Sequence, residues 1–383
     1  MKKKILIICQ SDFKNEPRVI KQIKALKDHY ELVYAGPEAL DQEVQFVRIQ
    51  QNCIHHNFLR HYPFLIRKIV SFFLKILFIF EKVQDKTFKK LNKIDFDLLI
   101  AHHLTSLSLA SRLAVCKQSK LLFNAHEYYP LEFEDRDDWV KNTQTVYVNL
   151  CQKYLTKIDG MFSVSEGIAD KYEEEFGIKS EVVLNTRDYC NLKPSVTSES
   201  KIKLIHHGAA MPSRRIEQMM EMMNFLDDRF TLDLMLMRTD EKYYNFLVQK
   251  AKDNSRIHFI EPVSSEEVPS RTNHYDIGVH LLPPINFNHQ HALPNKLFDF
   301  IQARLAIAIG PSPGMASLVQ KYNLGVISDD FSPLSLAKKL NVLTSQEIMY
   351  YKNQCDQFAH ELSSEKTMEV IRNSVEKLLS AQR

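Results

Sequence analysis

The chain has 383 residues, 44% hydrophobic and 25% charged, a globular composition long enough for two domains that each bury a core. Six cysteines, at positions 9, 53, 116, 151, 190 and 355, form no CxxC pair, which argues against a structural zinc site and for a reduced, cytoplasmic protein. The net charge of +3 hides an asymmetry: residues 60–93 hold nine Lys/Arg and two Asp/Glu, while the rest of the chain is net negative.

Residues 4–9, KILIIC, make an apolar run of strand length. Lys2 to Lys4 are followed by only a five-residue apolar run, far below the apolar length of a secretory signal. Residues 18–27 follow with helical spacing, Val19, Ile23 and Leu26 on the inner side. Strands are predicted over 31–35 and 44–49, and a strand–helix–strand order predicts a parallel sheet with right-handed crossovers. The sheet continues with strands at 98–102, 120–125, 160–164 and 180–184. Helices are predicted at 107–115 and 166–176, and a long helical stretch at 138–157. Residues 185–200 contain a proline and no periodicity, and they read as a linker.

A second α/β unit begins at residue 202. Its predicted strands are 202–207, 231–237, 256–260, 275–282, 305–309 and 324–327. Helices at 214–226, 240–252, 264–272, 295–304, 314–322 and 331–342 alternate with them, and residues 345–381 read as two more helices. The expected fold class is α/β, two doubly wound Rossmann-like domains facing across a cleft, with ligands beyond the carboxyl ends of the strands. The expected boundaries are 1–190 for an N-terminal Rossmann-like domain and 191–360 for a C-terminal one. Residues 361–383 are expected to form a helix packing back on the N-terminal domain.

Residues 62–80, YPFLIRKIVSFFLKILFIF, are apolar enough to suggest a membrane span. Arg67, Lys68 and Lys75 oppose that, since each costs about 2.5–3.5 kcal/mol near a bilayer centre. On a helical wheel Lys68, Ser71, Lys75, Lys82, Lys86 and Lys89 form one stripe. This predicts a helix lying on an anionic membrane surface through residues 60–93. A core helix with snorkelling lysines is the bland alternative. The aromatics lie inside the aliphatic run rather than alternating with basic residues, so no nucleic-acid partner is expected.

Chemistry concentrates in the second half. Residues 286–304, NFNHQHALPNKLFDFIQAR, read as a loop running into a helix N-terminus just after a strand. Free N–H groups there suit a phosphate. Lys296 sits in the first turn, where the helix dipole disfavours a cation unless an anion lies between them. Asp299, one turn on, can hold paired sugar hydroxyls. His206-His207-Gly208 ends the first strand of this half, with Gly208 where backbone must approach a ligand. Arg214 follows, able to fork two phosphate oxygens. A surface lysine and solvated arginines are the bland readings.

In the first half, His126 follows a strand in Asn124-Ala125-His126-Glu127 and can meet a sugar hydroxyl or developing charge. His102-His103 ends the neighbouring strand and can shape an acceptor side with Glu127. Adjacent histidines on a strand point to opposite faces and so cannot chelate together. Asp95-Phe96-Asp97 resembles a metal–diphosphate motif but precedes its strand, at the wrong end of the sheet. His289 and His291 find no third ligand, and no metal is expected. Neither a GxGxxG nor a GxxxxGK[ST] motif occurs, which removes support for NAD and P-loop chemistry.

In combination these segments resemble bacterial GT-B glycosyltransferases of family four. ALPNKLFDFIQA is similar to their LPNKLFEY-type helix start, and HHGAAMPSRRIEQMM to their strand–Gly loop–Arg–helix segment. FNAHEYYP resembles their Asp-x-His-Glu segment, and SDFKNEPRVIKQIKAL their first loop and helix. FSVSEGIADKY and VVLNTRD resemble their last N-domain units. The resemblance implies a retaining, metal-independent sugar transfer from a nucleotide-diphosphate donor, without a further cofactor. Carried over by position, Arg214 and Lys296 would hold the diphosphate and His126 the donor sugar. Gly208, His291, Leu293 and Asn295 would line the donor, and Asp299 would take the ribose role of a Glu. His103 and Glu127 would lie on the acceptor side.

Two positions depart from the family pattern. His291 replaces the first carboxylate of its Glu-x7-Glu pair, and Asp299 is one methylene shorter than the second. With the basic segment, the expectation is a transferase acting on a lipid-linked or cell-envelope glycan acceptor, peripheral on the inner face of the membrane. The alternatives are a non-catalytic GT-B partner in an envelope polysaccharide complex and a nucleotide-sugar epimerase.

Overall fold

The computed structural model describes residues 2–10, 16–50 and 84–381. The chain divides into two compact units. One comprises Met1–Leu184 with Ile285–His289 and Thr367–Arg383, and the other Asn185–Pro284 with Gln290–Lys366.

The first unit is built on a seven-stranded parallel sheet. Its strands are β1 (Lys4–Cys9), β2 (Glu31–Gly36), β3 (Gln45–Arg48), β4 (Leu98–His102), β5 (Lys120–Asn124), β6 (Gly160–Ser163) and β7 (Glu181–Val182). They lie in the order β3-β2-β1-β4-β5-β6-β7. The central strands are buried on both faces, which is why β1 and β4 read as unbroken apolar runs rather than alternating ones. Register pairs Ile5 with Leu98 and Cys9 with His102, so those last two residues end side by side at the carboxyl edge. The helix Ser364–Ser380 contributes Ile371 and Val375 to a core shared with Ile5, Ile7 and Ile100.

The second unit repeats the topology with six parallel strands. They are β8 (Ile202–Ala209), β9 (Phe230–Met237), β10 (Ile257–Ile260), β11 (Ile277–His280), β12 (Ala306–Ile309) and β13 (Gly325–Ile327), in the order β10-β9-β8-β11-β12-β13. The α/β class and the two doubly wound sheets are as the sequence predicts. In both sheets the strand order reverses beside the first strand, between β1 and β4 and between β8 and β11. Crevices for ligands open at such reversals.

The predicted helical stretch at 138–157 is present, and within it a π-helical turn, Val140–Gln144, separates Asp137–Trp139 from Thr145–Tyr154. The wide turn lies between Trp139 and Tyr147, whose buried rings meet edge to face at 5.6 Å. Residues 185–200 are no free linker. They are strapped along the second unit by Gln302 Oε1 accepting from Cys190 N at 3.0 Å and Asp276 Oδ1 accepting from Thr197 Oγ1 at 2.7 Å. Buried side chains elsewhere in that unit supply the order that the segment's own sequence lacks.

The apolar stretch 62–80 lies outside the described residues, as do residues 11–15 at the start of the first-loop motif. Of the basic segment, the helix Asp85–Leu91 is described, and it buries Thr87 and Leu91. Among the described residues no helix is long and apolar enough to cross a membrane.

Candidate active site

The candidate side chains gather in two clusters, one per unit, each at carboxyl ends of the strands near the reversal.

In the second unit, the penultimate residue of β8 is Gly208 with φ +136°, a conformation that a Cβ makes costly. A Cβ at this glycine would stand 3.6 Å from Lys296 Nζ, at ordinary van der Waals contact, so the lysine head lies directly against the glycine. Lys296 lies in the first turn of the helix Asn295–Gln302, and no side chain caps that helix. The amphipathic spacing of Leu297, Phe298 and Ile301 buries one face and fixes Lys296 above the strand ends. Lys296 Nζ lies 3.4 Å from His206 Nε2. His206 Nδ1 is 2.8 Å from the carbonyl of Val279, which can only accept. Nδ1 therefore carries the hydrogen, and Nε2 offers its lone pair to the lysine. The His280 ring stacks on His206 at 5.9 Å.

Burial first, and then the nearby Arg214 charge, lower the Lys296 pKa to about 7, while Asp299 pulls the other way. Arg214 belongs to the exposed 3₁₀ turn Pro212–Arg214, and Arg215 follows at φ +45°. The expected helix starts only after these arginines, at Glu217. Two cations lie near each other here, and among the described residues neither is in an ion pair, an arrangement that an anion such as a diphosphate would relieve.

Asp299 is 2% exposed and paired with Arg187, and its other oxygen stands 3.5 Å from His207 Nε2. That distance falls short of hydrogen-bond geometry, and burial lowers His207 to about 3, so the neutral ring makes no ion pair there. Arg187 Nη2 also donates to Ser265 Oγ at 2.6 Å. The carboxylate expected to take paired ribose hydroxyls is thus buried and held by Arg187. Asn295 is exposed, its Oδ1 accepting from Asn185 at 3.1 Å, and Leu293 is half-buried before it. His291 ends the short helix Phe287–His291, where its carbonyl packs so tightly on Gly314 that a Cβ there would approach to 2.6 Å.

In the first unit, His102, His103 and His126 form one group at the ends of β4 and β5. His102 Nε2 is 2.6 Å from Gln22 Oε1, and His102 Nδ1 is 3.0 Å from His126 Nε2. The His103 ring lies 4.1 Å from that of His126. Strand alternation would have sent His102 and His103 to opposite sides. His103 instead has φ +63°, which breaks the extended geometry just past β4 and turns both rings toward His126. His103 Nδ1 and Nε2 each lie 3.3 Å from a partner, the Tyr129 hydroxyl and Glu16 Oε1 respectively. Burial pushes His102 down to about 3 and His126 well below its ordinary value, so both rings are neutral.

Glu127 and Glu132 complete this cluster. Burial raises Glu127 to about 7, with Arg18 opposing, and raises Glu132 to about 8, with the Glu127 charge adding to the rise. Cys9, Glu16 and His103 also place a thiol, a carboxylate and an imidazole within 4.8 Å of one another, a donor trio that their sequence spacing does not announce. Asp97, by contrast, accepts from Lys4 N at 2.8 Å at the opposite edge of the sheet, where the sequence reading puts it.

Sequence reasoning missed Gln22, Arg18, Glu132 and Arg187, and it read His102 only as a neighbour of His103. Gln22 carried a signal: it falls on the buried stripe with Val19, Ile23 and Leu26, where a polar side chain needs a partner. Arg187 carried none, because its partner lies 112 residues away.

No family model matches the chain, and no curated protein sequence matches it. Solved structures share the fold at low identity. Anabaena HepE in complex with UDP is 13% identical with a TM-score of 0.70, covering 98% of this chain and 100% of that one. Sucrose-phosphate synthase from Thermosynechococcus elongatus is 12% identical with a TM-score of 0.70, covering all of both chains. A glycosyltransferase from Rickettsia africae is 12% identical with a TM-score of 0.68, also at full coverage.

Proposed function

We propose that this protein is a glycosyltransferase of the GT-B, family-four type, moving a sugar from a nucleotide-diphosphate donor to a glycan or lipid-linked acceptor of the cell envelope. The observation that carries the reading is the Gly208–Lys296–His206 arrangement with Arg214 beside it. A lysine is held over a positive-φ glycine, at an uncapped helix start, with no carboxylate on its head. That is a receptor for a dianionic phosphate group. HepE, solved with UDP and with UDP-glucose, supports a nucleoside diphosphate as the anion.

In this reading Arg214 and Lys296 neutralise the diphosphate and stabilise it as the leaving group. They supply positive charge where other transferases use a metal. Gly208, Leu293, Asn295 and His291 line the donor, and Asp299 orients Arg187 rather than touching ribose. His126 meets a sugar hydroxyl, with His103 and Glu127 on the acceptor side. Retention follows if a leaving-phosphate oxygen takes the acceptor proton on the same face, which requires no protein base. The basic stretch within 60–93 supports a cytoplasmic, membrane-surface location and hence a lipid-linked acceptor.

The test is calorimetry with nucleoside diphosphates, followed by a donor-hydrolysis screen of nucleotide sugars. Binding lost in Lys296→Ala and Arg214→Ala supports the reading. Nucleotide binding that ignores both substitutions overturns the site. Failure of the wild-type protein to bind any nucleotide would favour the non-catalytic reading, to which the engaged Asp299 and His291 in place of a carboxylate already lean.

A further inference from the structure

We propose that Gln22 and His102 are positioning residues that present His126 as a neutral imidazole with its Nδ1 lone pair bare, so that it accepts a hydrogen bond from a sugar hydroxyl. The inference rests on the transferase reading for its chemistry, but its geometry stands within the first unit alone.

The direction of every hydrogen follows from one carbonyl. Gln22 Oε1 lies 2.6 Å from His102 Nε2 and can only accept, so that nitrogen carries the hydrogen. A neutral imidazole has one N–H, which leaves His102 Nδ1 as an acceptor. His126 Nε2, 3.0 Å away, must then donate. By the same rule His126 Nδ1 has no hydrogen, and it has no hydrogen-bond partner among the described residues. Gln22 and His102 are both 0% exposed, so water cannot substitute for either link.

The surroundings keep the relay neutral and the ring fixed. Arg18 lies close enough to disfavour a second cation on His102 or His126. Of the other charged groups facing the rings, Glu16 is held by His103 Nε2, and Glu127 lies opposite Arg18. His103, tied to Tyr129 and Glu16, packs against the His126 ring at 4.1 Å and limits its rotation.

The consequence is a selective atom. A lone pair attracts a group with a hydrogen to give and repels one that can only accept. His126 therefore reads a hydroxyl-bearing sugar moiety and not a phosphate. Phosphate recognition is left to Lys296 and Arg214. The relay divides the chemistry: one unit grips the anion with cations, and the other addresses a neutral polyol with an acceptor.

Nitrogen-15 NMR on histidine-labelled full-length protein tests this without any substrate. The signals are assigned by His126→Gln and His102→Gln. The expected result is His126 in the Nε2–H form, unchanged between pH 5.5 and 8. Gln22→Leu should mix the two tautomers of His126 and lower kcat while leaving calorimetric UDP binding unchanged. A wrong tautomer at a working histidine can cost up to roughly 10⁴ in kcat. Gln22→Glu, whose carboxylate accepts only, should restore the single tautomer and most of the turnover. An Nδ1–H form or an imidazolium at His126 near pH 7 in the wild-type protein overturns the proposal, as does an unchanged tautomer in Gln22→Leu. Should no nucleotide sugar be turned over, the transferase reading fails, and the wild-type spectrum still decides the relay.

Discussion

Lys296 Nζ approaches His206 Nε2 to 3.4 Å, and the Val279 carbonyl makes that nitrogen an acceptor by holding the hydrogen of Nδ1. The lysine is thus met by a neutral acceptor rather than a carboxylate. A group so placed aligns the ammonium without cancelling its charge, which leaves the charge for a ligand.

The first prediction follows from that arrangement. Lys296→Ala should weaken binding of a nucleoside diphosphate by about 10- to 100-fold, the scale of a hydrogen bond to a charged group. His206→Phe keeps the ring but removes the acceptor, and it should weaken binding less than the lysine change does. Titration calorimetry measures both.

A second prediction concerns pH. With Lys296 lowered to about 7, the free protein loses that ammonium charge as pH rises past neutrality. Diphosphate binding above pH 7 must then take up a proton, and affinity should fall as pH rises from 7 to 9. Calorimetry in buffers of different ionisation enthalpy counts the proton. Stability of the unliganded protein should move the other way. Between about 7 and the ordinary value of 10.5 the unfolded chain holds a proton that the folded one lacks, so unfolding becomes harder with rising pH. Lys296→Met should remove both trends.

Gly208→Ala should cost about 1–3 kcal/mol of stability, because φ +136° is strained for any residue with a Cβ. The added methyl would meet the lysine head only at ordinary van der Waals distance, 3.6 Å, so the cost is in the backbone. Denaturant unfolding reads it. A midpoint equal to that of the wild type would show that the backbone there relaxes freely.

Arg187→Met should destabilise by about 3–5 kcal/mol, since it strands a buried carboxylate at Asp299. Asp299→Asn alone leaves a polar partner for Arg187 and should cost less. Combining the two should recover part of the loss. A double-mutant cycle in urea measures the coupling. If Asp299 instead contacts ribose directly, Asp299→Asn will reduce nucleotide affinity as strongly as Lys296→Ala does.

Glu127 and Glu132 give the opposite pH dependence to the lysine. Their folded values, about 7 and about 8, lie above the ordinary 4.5. Between 4.5 and those values the folded chain holds protons that the unfolded one has released, so their contribution falls as pH rises through that window. Glu127→Gln and Glu132→Gln should each raise the melting temperature at pH 8 more than at pH 5. Equal shifts at both pH values would mean that the two carboxyls are ionised in the folded protein.

The sequence by itself determined the alternation of strands and helices, the two parallel sheets, the placing of Lys296, Arg214 and His126 beyond strand ends, and that of Gly208 at the end of its strand. Apolar runs such as KILIIC and helical stripes such as Leu297–Phe298–Ile301 are local signals, written within one turn or one strand. Only the tertiary structure decided which polar groups meet. Gln22 and His102 lie 80 residues apart, and Arg187 and Asp299 lie 112 apart, so no spacing announces either pair. The turn of His103 to φ +63° likewise overrode the alternation rule that had separated it from His102. Hydrophobic patterning is read along the chain, whereas hydrogen-bond partners are chosen in space, and the buried polar residues had to wait for the fold.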